Sequence, residues 1–141
     1  MAENNSIDLT ARARIELGLN DSVPVRGWAV RRLDQPGKAY YLAVFGEEDQ
    51  AVAAAVVDLR DGIVEITAEL TGSTQLGVDE SCALELAGLG AGSTAELVWR
   101  PCRASYSPLY PIWEVRKGSD VTYVDQHGRI WSMLVPSGPG G

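Results

Sequence analysis

The sequence predicts an α+β fold in which two similar helix-plus-antiparallel-sheet units form one compact domain. Three observations carry this expectation. Apolar runs of strand length recur between polar turn formers, two segments have helix-forming composition, and the same features follow in the same order in both halves. The chain has 141 residues, 45% of them apolar and 22% charged, which suits a single domain able to bury a core without disulfides or metals. Residues 1–141 are therefore read as one domain. Its body is 7–135, its repeat units are about 7–70 and 78–135, and its flexible tails are 1–6, which are polar, and 136–141, which hold only Pro, Ser and Gly.

The first element is ambiguous by pattern. Ile7, Leu9, Ala11, Ala13, Ile15, Leu17 and Leu19 occupy alternate positions, as in a half-buried strand. Residue type favours a helix, because Ala, Arg, Glu and Leu dominate, Ser6 or Asp8 offers a start, and Gly18 or Asn20 offers an end. Helix is the reading kept. A Trp28-bearing strand follows at 25–33, then apolar strands at 40–45 and 51–57 joined through the polar residues 46–50, a hairpin pattern. A tight turn at 58–62 leads into the alternating strand 63–70. Residues 71–77 are rich in turn formers and divide the body.

The second half repeats this order. Asp79, Glu80 and Ser81 precede a helix at 82–89, with acidic residues near its positive end. Strands are expected at 95–100 around Trp99, at 109–115, at 121–124 and at 130–134, the last two flanking the turn from Asp125 to Gly128. Ile15, Glu16 and Leu17 match Leu84, Glu85 and Leu86. Val57-Asp58 through Gly62 matches Val124-Asp125 through Gly128. Their common order suggests a degenerate duplication.

The formal net charge is −7, and the cations are interspersed with carboxylates. Arg26, Arg31, Arg32 and Lys38 lie close to Asp34, Glu47, Glu48 and Asp49, as on a solvated face of mixed charge. Nucleic acid is therefore not an expected partner. No segment has the length of a membrane span, and the N-terminus lacks the basic start and apolar stretch of a secretory signal, so a cytoplasmic protein with no membrane association is expected. Cys82 and Cys102 are then thiols. With His127 as the single histidine, no metal site and no cofactor are expected.

No catalytic residues are assigned. The conventional nucleophilic arrangement on offer is Cys102 with His127 and Asp125, but Cys102 reads as a small core residue and His127 as an exposed turn residue. Asp58 and Asp125 precede turn glycines, which accounts for both. The glycines from Gly88 to Gly92 lack the spacing and ending of a phosphate loop, and Glu47, Glu48 and Asp49 lack calcium-loop spacing.

Tyr123-Val124-Asp125, a short turn with Gly128, and then Ile130 and Trp131 resemble the terminal hairpin of PepSY-type domains. A helix followed by a small antiparallel sheet is also similar to that family, so the chain looks like two such units in tandem. The resemblance implies a non-catalytic module that binds or restrains peptidases or other partners. The absence of a leader or anchor departs from the extracytoplasmic setting of the family.

One segment stands apart from the strands. Residues 100–111 hold three prolines, two arginines and two tyrosines between Trp99 and Trp113. Prolines lower the entropy lost on ordering, and Tyr and Arg are effective contact anchors. Arg100, Arg103, Tyr106, Tyr110 and Trp113 are thus the expected partner-binding residues. The function expected is a non-catalytic binding or regulatory module recognising a protein or peptide, with a homo-oligomer also compatible. The alternative is a small-ligand-binding enzyme or carrier whose curved sheet encloses a pocket lined by Trp28, Tyr41, Trp99 or Trp113. A purely structural subunit of an oligomer is the third reading.

Overall fold

The computed structural model describes residues 2–47, 49–73 and 77–136. The chain is α+β, in the order α1 (Ala2–Leu17), β1 (Val25–Arg32), β2 (Ala39–Glu47), β3 (Gln50–Asp58), β4 (Val64–Ser73), α2 (Glu80–Ala87), β5 (Thr94–Trp99), β6 (Ile112–Lys117), β7 (Asp120–Val124) and β8 (Ile130–Trp131). The eight strands form a mixed sheet in the order β4-β3-β2-β1-β5-β6-β7-β8. β1 and β5 run parallel, with Arg31 opposite Val98 and Arg32 opposite Trp99, whereas the β2–β3, β3–β4, β5–β6, β6–β7 and β7–β8 ladders are antiparallel. Contacts divide the chain into two compact units: Met1–Ala29 with Gly37–Gln75, and Val30–Pro36 with Leu76–Gly141.

In the first unit the ambiguous opening segment is a helix, and it begins at Ala2, inside what was expected to be a tail. Its core positions are Leu9 and Ala13, with Leu17 partly buried, a spacing of four that follows the helical turn. The apparent alternation is broken by Ile15, which is 80% exposed. The helix packs on Ala43 and Phe45 of β2 and on Ala53, Ala55 and Val57 of β3, where small side chains let it approach the sheet closely. Arg14 fixes the end of the helix. Its Nη1 donates to Val23 O at 2.6 Å and Asn20 O at 3.0 Å, and its guanidinium lies 5.2 Å from the centre of the Phe45 ring.

The β3–β4 turn is built on Asp58, whose Oδ1 accepts the backbone N–H groups of Arg60 at 2.7 Å and Asp61 at 3.3 Å. Gly62 N–H returns to Asp58 O at 2.9 Å with φ of +74°, a conformation that disfavours any side chain. Residues 71–73, expected in a dividing turn, instead extend β4. Residues 74–76 of that expected turn, Glu48 of the acidic hairpin tip, and residues 137–141 of the expected tail lie outside the described residues.

In the second unit α2 is capped by Asp79, whose carboxylate accepts Cys82 N–H at 2.8 Å. The segment entering that helix is locked by Gln126. Its Oε1 accepts Val78 N–H at 2.8 Å and its Nε2 donates to Pro111 O at 2.9 Å, while Trp113 Nε1 donates to Val78 O at 2.7 Å. Gly77 lies so close to Gln126 that a Cβ there would collide with the Gln126 backbone oxygen. The β7–β8 turn uses Asp125, whose Oδ1 accepts His127 and Arg129 N–H at 2.9 and 3.0 Å and whose Oδ2 accepts Trp131 Nε1 at 2.9 Å. The last strand is only two residues long, shorter than the 130–134 expected, and β6 starts at Ile112 rather than at 109. Cys82 is an exposed free thiol and Cys102 a buried one. No helix among the described residues is long and apolar enough to cross a membrane.

Asp125 is 2% exposed and holds three donors, whereas Asp58 is half-buried and holds two. Asp125→Ala leaves the indole and turn amides without their acceptor and should cost about 3 kcal/mol or more, against about 1 kcal/mol for Asp58→Ala. Urea unfolding of the two variants measures the difference. Equal losses would contradict the role given to the Asp125–Trp131 contact.

Candidate functional site

The connection between β5 and β6, residues 100–111, is held by its own hydrogen bonds. Cys102 and Ser105 exchange backbone bonds, each at 3.1 Å, closing a tight first turn. Arg103 N–H donates to Val135 O at 2.9 Å, and Cys102 bridges to Pro136, so the segment after β8 pins this turn. A second turn forms where Tyr110 N–H reaches Ser107 O at 3.0 Å and Leu109 N–H reaches Ser107 Oγ at 3.1 Å. The Ser105 hydroxyl joins both turns to the core. It accepts Trp99 Nε1 at 3.2 Å and lies 2.6 Å from Tyr110 O and 2.9 Å from Ser107 O, the acceptors for its single proton.

This scaffold sorts the loop side chains. Cys102, Ser105, Pro108 and Pro111 are buried, whereas Arg103 is exposed and Tyr106 and Tyr110 are 74% and 53% exposed. Arg100 is half-buried, and its Nε has no hydrogen-bond acceptor among the described residues. Four of the five expected contact residues thus lie on or in the loop with part of their surface open. Trp113 does not: it is buried, its indole N–H is consumed by Val78 O, and it belongs to the core. The periodicity of β6 contained that signal, because Trp113 and Val115 share the sheet face toward α2, where Trp113 reaches Val78.

The sequence reading also missed a charged constellation on the opposite face of the same unit. Glu96 of β5 and Glu114 of β6 are directly opposite, as are Glu114 and Tyr123 of β7. Two carboxylates in that position repel. Arg31 offsets the repulsion by donating Nε and Nη2 to the two Glu96 oxygens at 2.8 and 3.1 Å while Nη2 also reaches Glu114 Oε1 at 3.1 Å. Arg116 Nε adds a bond to the same Glu114 oxygen at 2.8 Å. The Glu114 side chain is only 3% exposed, so both guanidinium groups are required to accommodate its charge. Arg31 had been grouped with a solvated face. The usable signal was Glu114 itself, a lone carboxylate inside the apolar run Ile112, Trp113, Val115.

The electrostatic consequences follow from these contacts. Hydrogen bonding from Arg31 holds the Glu96 carboxyl below its ordinary range, and the same bond raises Arg31. Burial, reinforced by the negative charge of Glu114, pushes the Tyr123 phenol up. The shifts of Glu96 and Arg31 both favour the charged forms of that pair. Elsewhere in this unit Cys102 is buried whereas His127 is exposed, and both oxygens of Asp125 already accept bonds. Among the described residues no group of three or more His, Cys, Asp or Glu is placed to hold a metal ion.

The aromatic residues expected to line a ligand pocket are engaged in other ways. Trp99 is buried, bonded to Ser105, and has the Arg32 guanidinium 5.4 Å from its ring centre. In the first unit Trp28 carries Arg26 at 5.4 Å, and Tyr41 packs on the α1 core. Comparison with protein-family models, with curated proteins and with solved structures returned no match.

Because the Glu96 pKa is lowered on folding, its contribution is present above the unfolded carboxyl value and is lost as pH falls through the lower folded value. Glu96→Gln should therefore reduce stability at neutral pH by less than about 1 kcal/mol, since both partners are substantially exposed, and should flatten the acid limb of the stability curve. Urea midpoints from neutral pH down to about pH 3 check this. An unchanged acid limb would contradict it.

Proposed function

We propose that this protein is a non-catalytic binding module that recognises a protein or peptide partner through the loop at residues 100–111. The single observation that supports this most is the contrast between the loop's hydrogen-bonded turns and its outward tyrosines. Tyr106 and Tyr110 project from turns already fixed by Ser105 and Ser107. Little conformational freedom would then be lost when a partner packs against them. Arg103, exposed in the same loop, supplies a charged anchor of the type enriched at contact centres.

We further read the two sequence segments, about 7–70 and 78–135, as degenerate copies of one α-β-β-β-β ancestor. Each places its helix first and four strands after it. Each also closes one hairpin with an aspartate that accepts turn amides and a glycine of positive φ, Asp58 with Gly62 and Asp125 with Gly128. The PepSY-like reading remains a proposal on the same footing, and Asp125 acts in it as a turn and indole acceptor. The copies differ where the recognition loop lies. The β1–β2 connection spans 33–38, whereas the β5–β6 connection spans 100–111 and is about twice as long. An insertion confined to one copy is the expected form of a specialised contact surface.

Tyr106→Ala and Arg103→Ala should change unfolding stability by no more than about 0.5 kcal/mol, because neither side chain fills the core. Trp99→Ala should cost about 3–5 kcal/mol. Partners captured from the native cell by the wild-type protein should be lost on the folded Tyr106→Ala, Arg103→Ala double variant. Retention of the same partners at undiminished affinity would refute the loop as the recognition surface.

A further inference from the structure

We propose that β4 is a self-association edge, at which a second copy of this chain adds its own β4 antiparallel and extends the sheet across a two-fold axis at Ala68. This interface lies in the first unit and stands or falls independently of the 100–111 loop. β4 is ten residues long and ends the strand order, so one side of its backbone meets no described strand. The strand at the other end, β8, has only two residues. A long outer strand presents a row of backbone N–H and C=O groups to other chains, and proteins commonly blunt such edges by shortening them or by placing lysine or proline there. β8 is blunted by its length. β4 has neither that protection nor any lysine, arginine or proline.

The side chains identify the occupant. Between two register shifts β4 pairs regularly with β3, Ile66 with Val56, Thr67 with Ala55, Ala68 with Ala54 and Glu69 with Ala53. Thr67 and Glu69 are exposed on the face of Ala55 and Ala53, while Ile66, Ala68 and Leu70 alternate with them and are partly buried. Read in either direction, residues 66–70 run apolar, polar, alanine, polar, apolar. In an antiparallel pair centred on Ala68, each Ile66 faces the partner's Leu70 and each Thr67 faces the partner's Glu69. Apolar then meets apolar on one face, and a hydroxyl meets a carboxylate on the other. Centring the pair on Thr67 sets Glu65 against Glu69, and centring it on Glu69 sets that carboxylate against itself, both repulsive. A segment that complements itself at Ala68 and repels itself one residue to either side fits a closed two-fold dimer of fixed register. The net charge of −7 on each copy opposes association, so backbone hydrogen bonds and the apolar pairs carry it and added salt strengthens it.

The test is sedimentation velocity of the full-length protein at concentrations up to about 300 µM, a range suited to a small interface. The wild-type protein should pass from monomer to dimer as concentration rises, and at lower concentration when salt is added. Thr67→Glu sets carboxylates directly opposite each other at two symmetric positions and should raise the dimer dissociation constant about tenfold, whereas Thr67→Arg faces Glu69 and should lower it. Thr67 is exposed, so both variants should keep the wild-type circular dichroism spectrum. The Tyr106→Ala, Arg103→Ala double variant should dimerise as the wild type does, which separates this edge from the recognition loop. The proposal is overturned if the wild-type protein remains monomeric throughout the range, an outcome that leaves the edge to a strand of another protein. It is equally overturned if the folded Thr67→Glu variant dimerises undiminished.

Discussion

The hydroxyl of Ser105 is the contact on which the proposed recognition surface depends. A twelve-residue connection between neighbouring strands must find partners for its own backbone groups or leave them to water. Here one side-chain oxygen accepts from the buried Trp99 indole and donates toward the carbonyls of the second turn. That one oxygen thereby joins the Trp99 indole to the second turn of the loop. The prolines contribute differently. Pro108 and Pro111 are buried and restrict the chain, while Pro111 O is held from outside the loop by Gln126. Gln126 in turn fixes Val78, and Val78 O receives the Trp113 indole. The two tryptophans that bracket the loop in sequence are thus its two core anchors.

The strands were legible because their apolar runs and turn formers obey local rules, and β1, β2, β3 and β7 begin and end within a few residues of the expected positions. The helix of residues 2–17 was legible from residue type and not from pattern. Ile15 occupies a position that alternation assigns to the core, yet the four-residue spacing of Leu9, Ala13 and Leu17 decides which side packs. Trp113 was misassigned for a comparable reason. Its place at the end of a Pro- and Tyr-rich loop suggested contact, but the strand register turns it toward Val78. The loop itself could be located from composition. Its outside hydrogen bonds could not, because Val135 and Gln126 reach Arg103 and Pro111 only through the tertiary fold.

Charge was the least legible property. Arg31, Glu96, Glu114 and Arg116 come from three strands, and nothing local brings a carboxylate at 96 opposite one at 114. Once that register is set, the like charges require the two arginines, and the set is an internal device of the second unit. Around the Asp58 turn, by contrast, the carboxylates are held by backbone amides rather than by arginines. A sequence with interspersed charges therefore contains a closed ion-pair cluster that net charge does not reveal.

The central claim is that the 100–111 loop is fixed before any partner arrives. Native-state amide hydrogen exchange tests it directly at Cys102, Arg103, Ser105, Leu109 and Tyr110, whose N–H groups are all hydrogen-bonded, four of them within the loop and that of Arg103 to Val135 O. The account predicts that these amides are protected together, as one cooperative unit, and exchange far more slowly than unstructured peptide. Exchange at the rate of an unstructured chain would show a loop without a fixed form and would contradict the account.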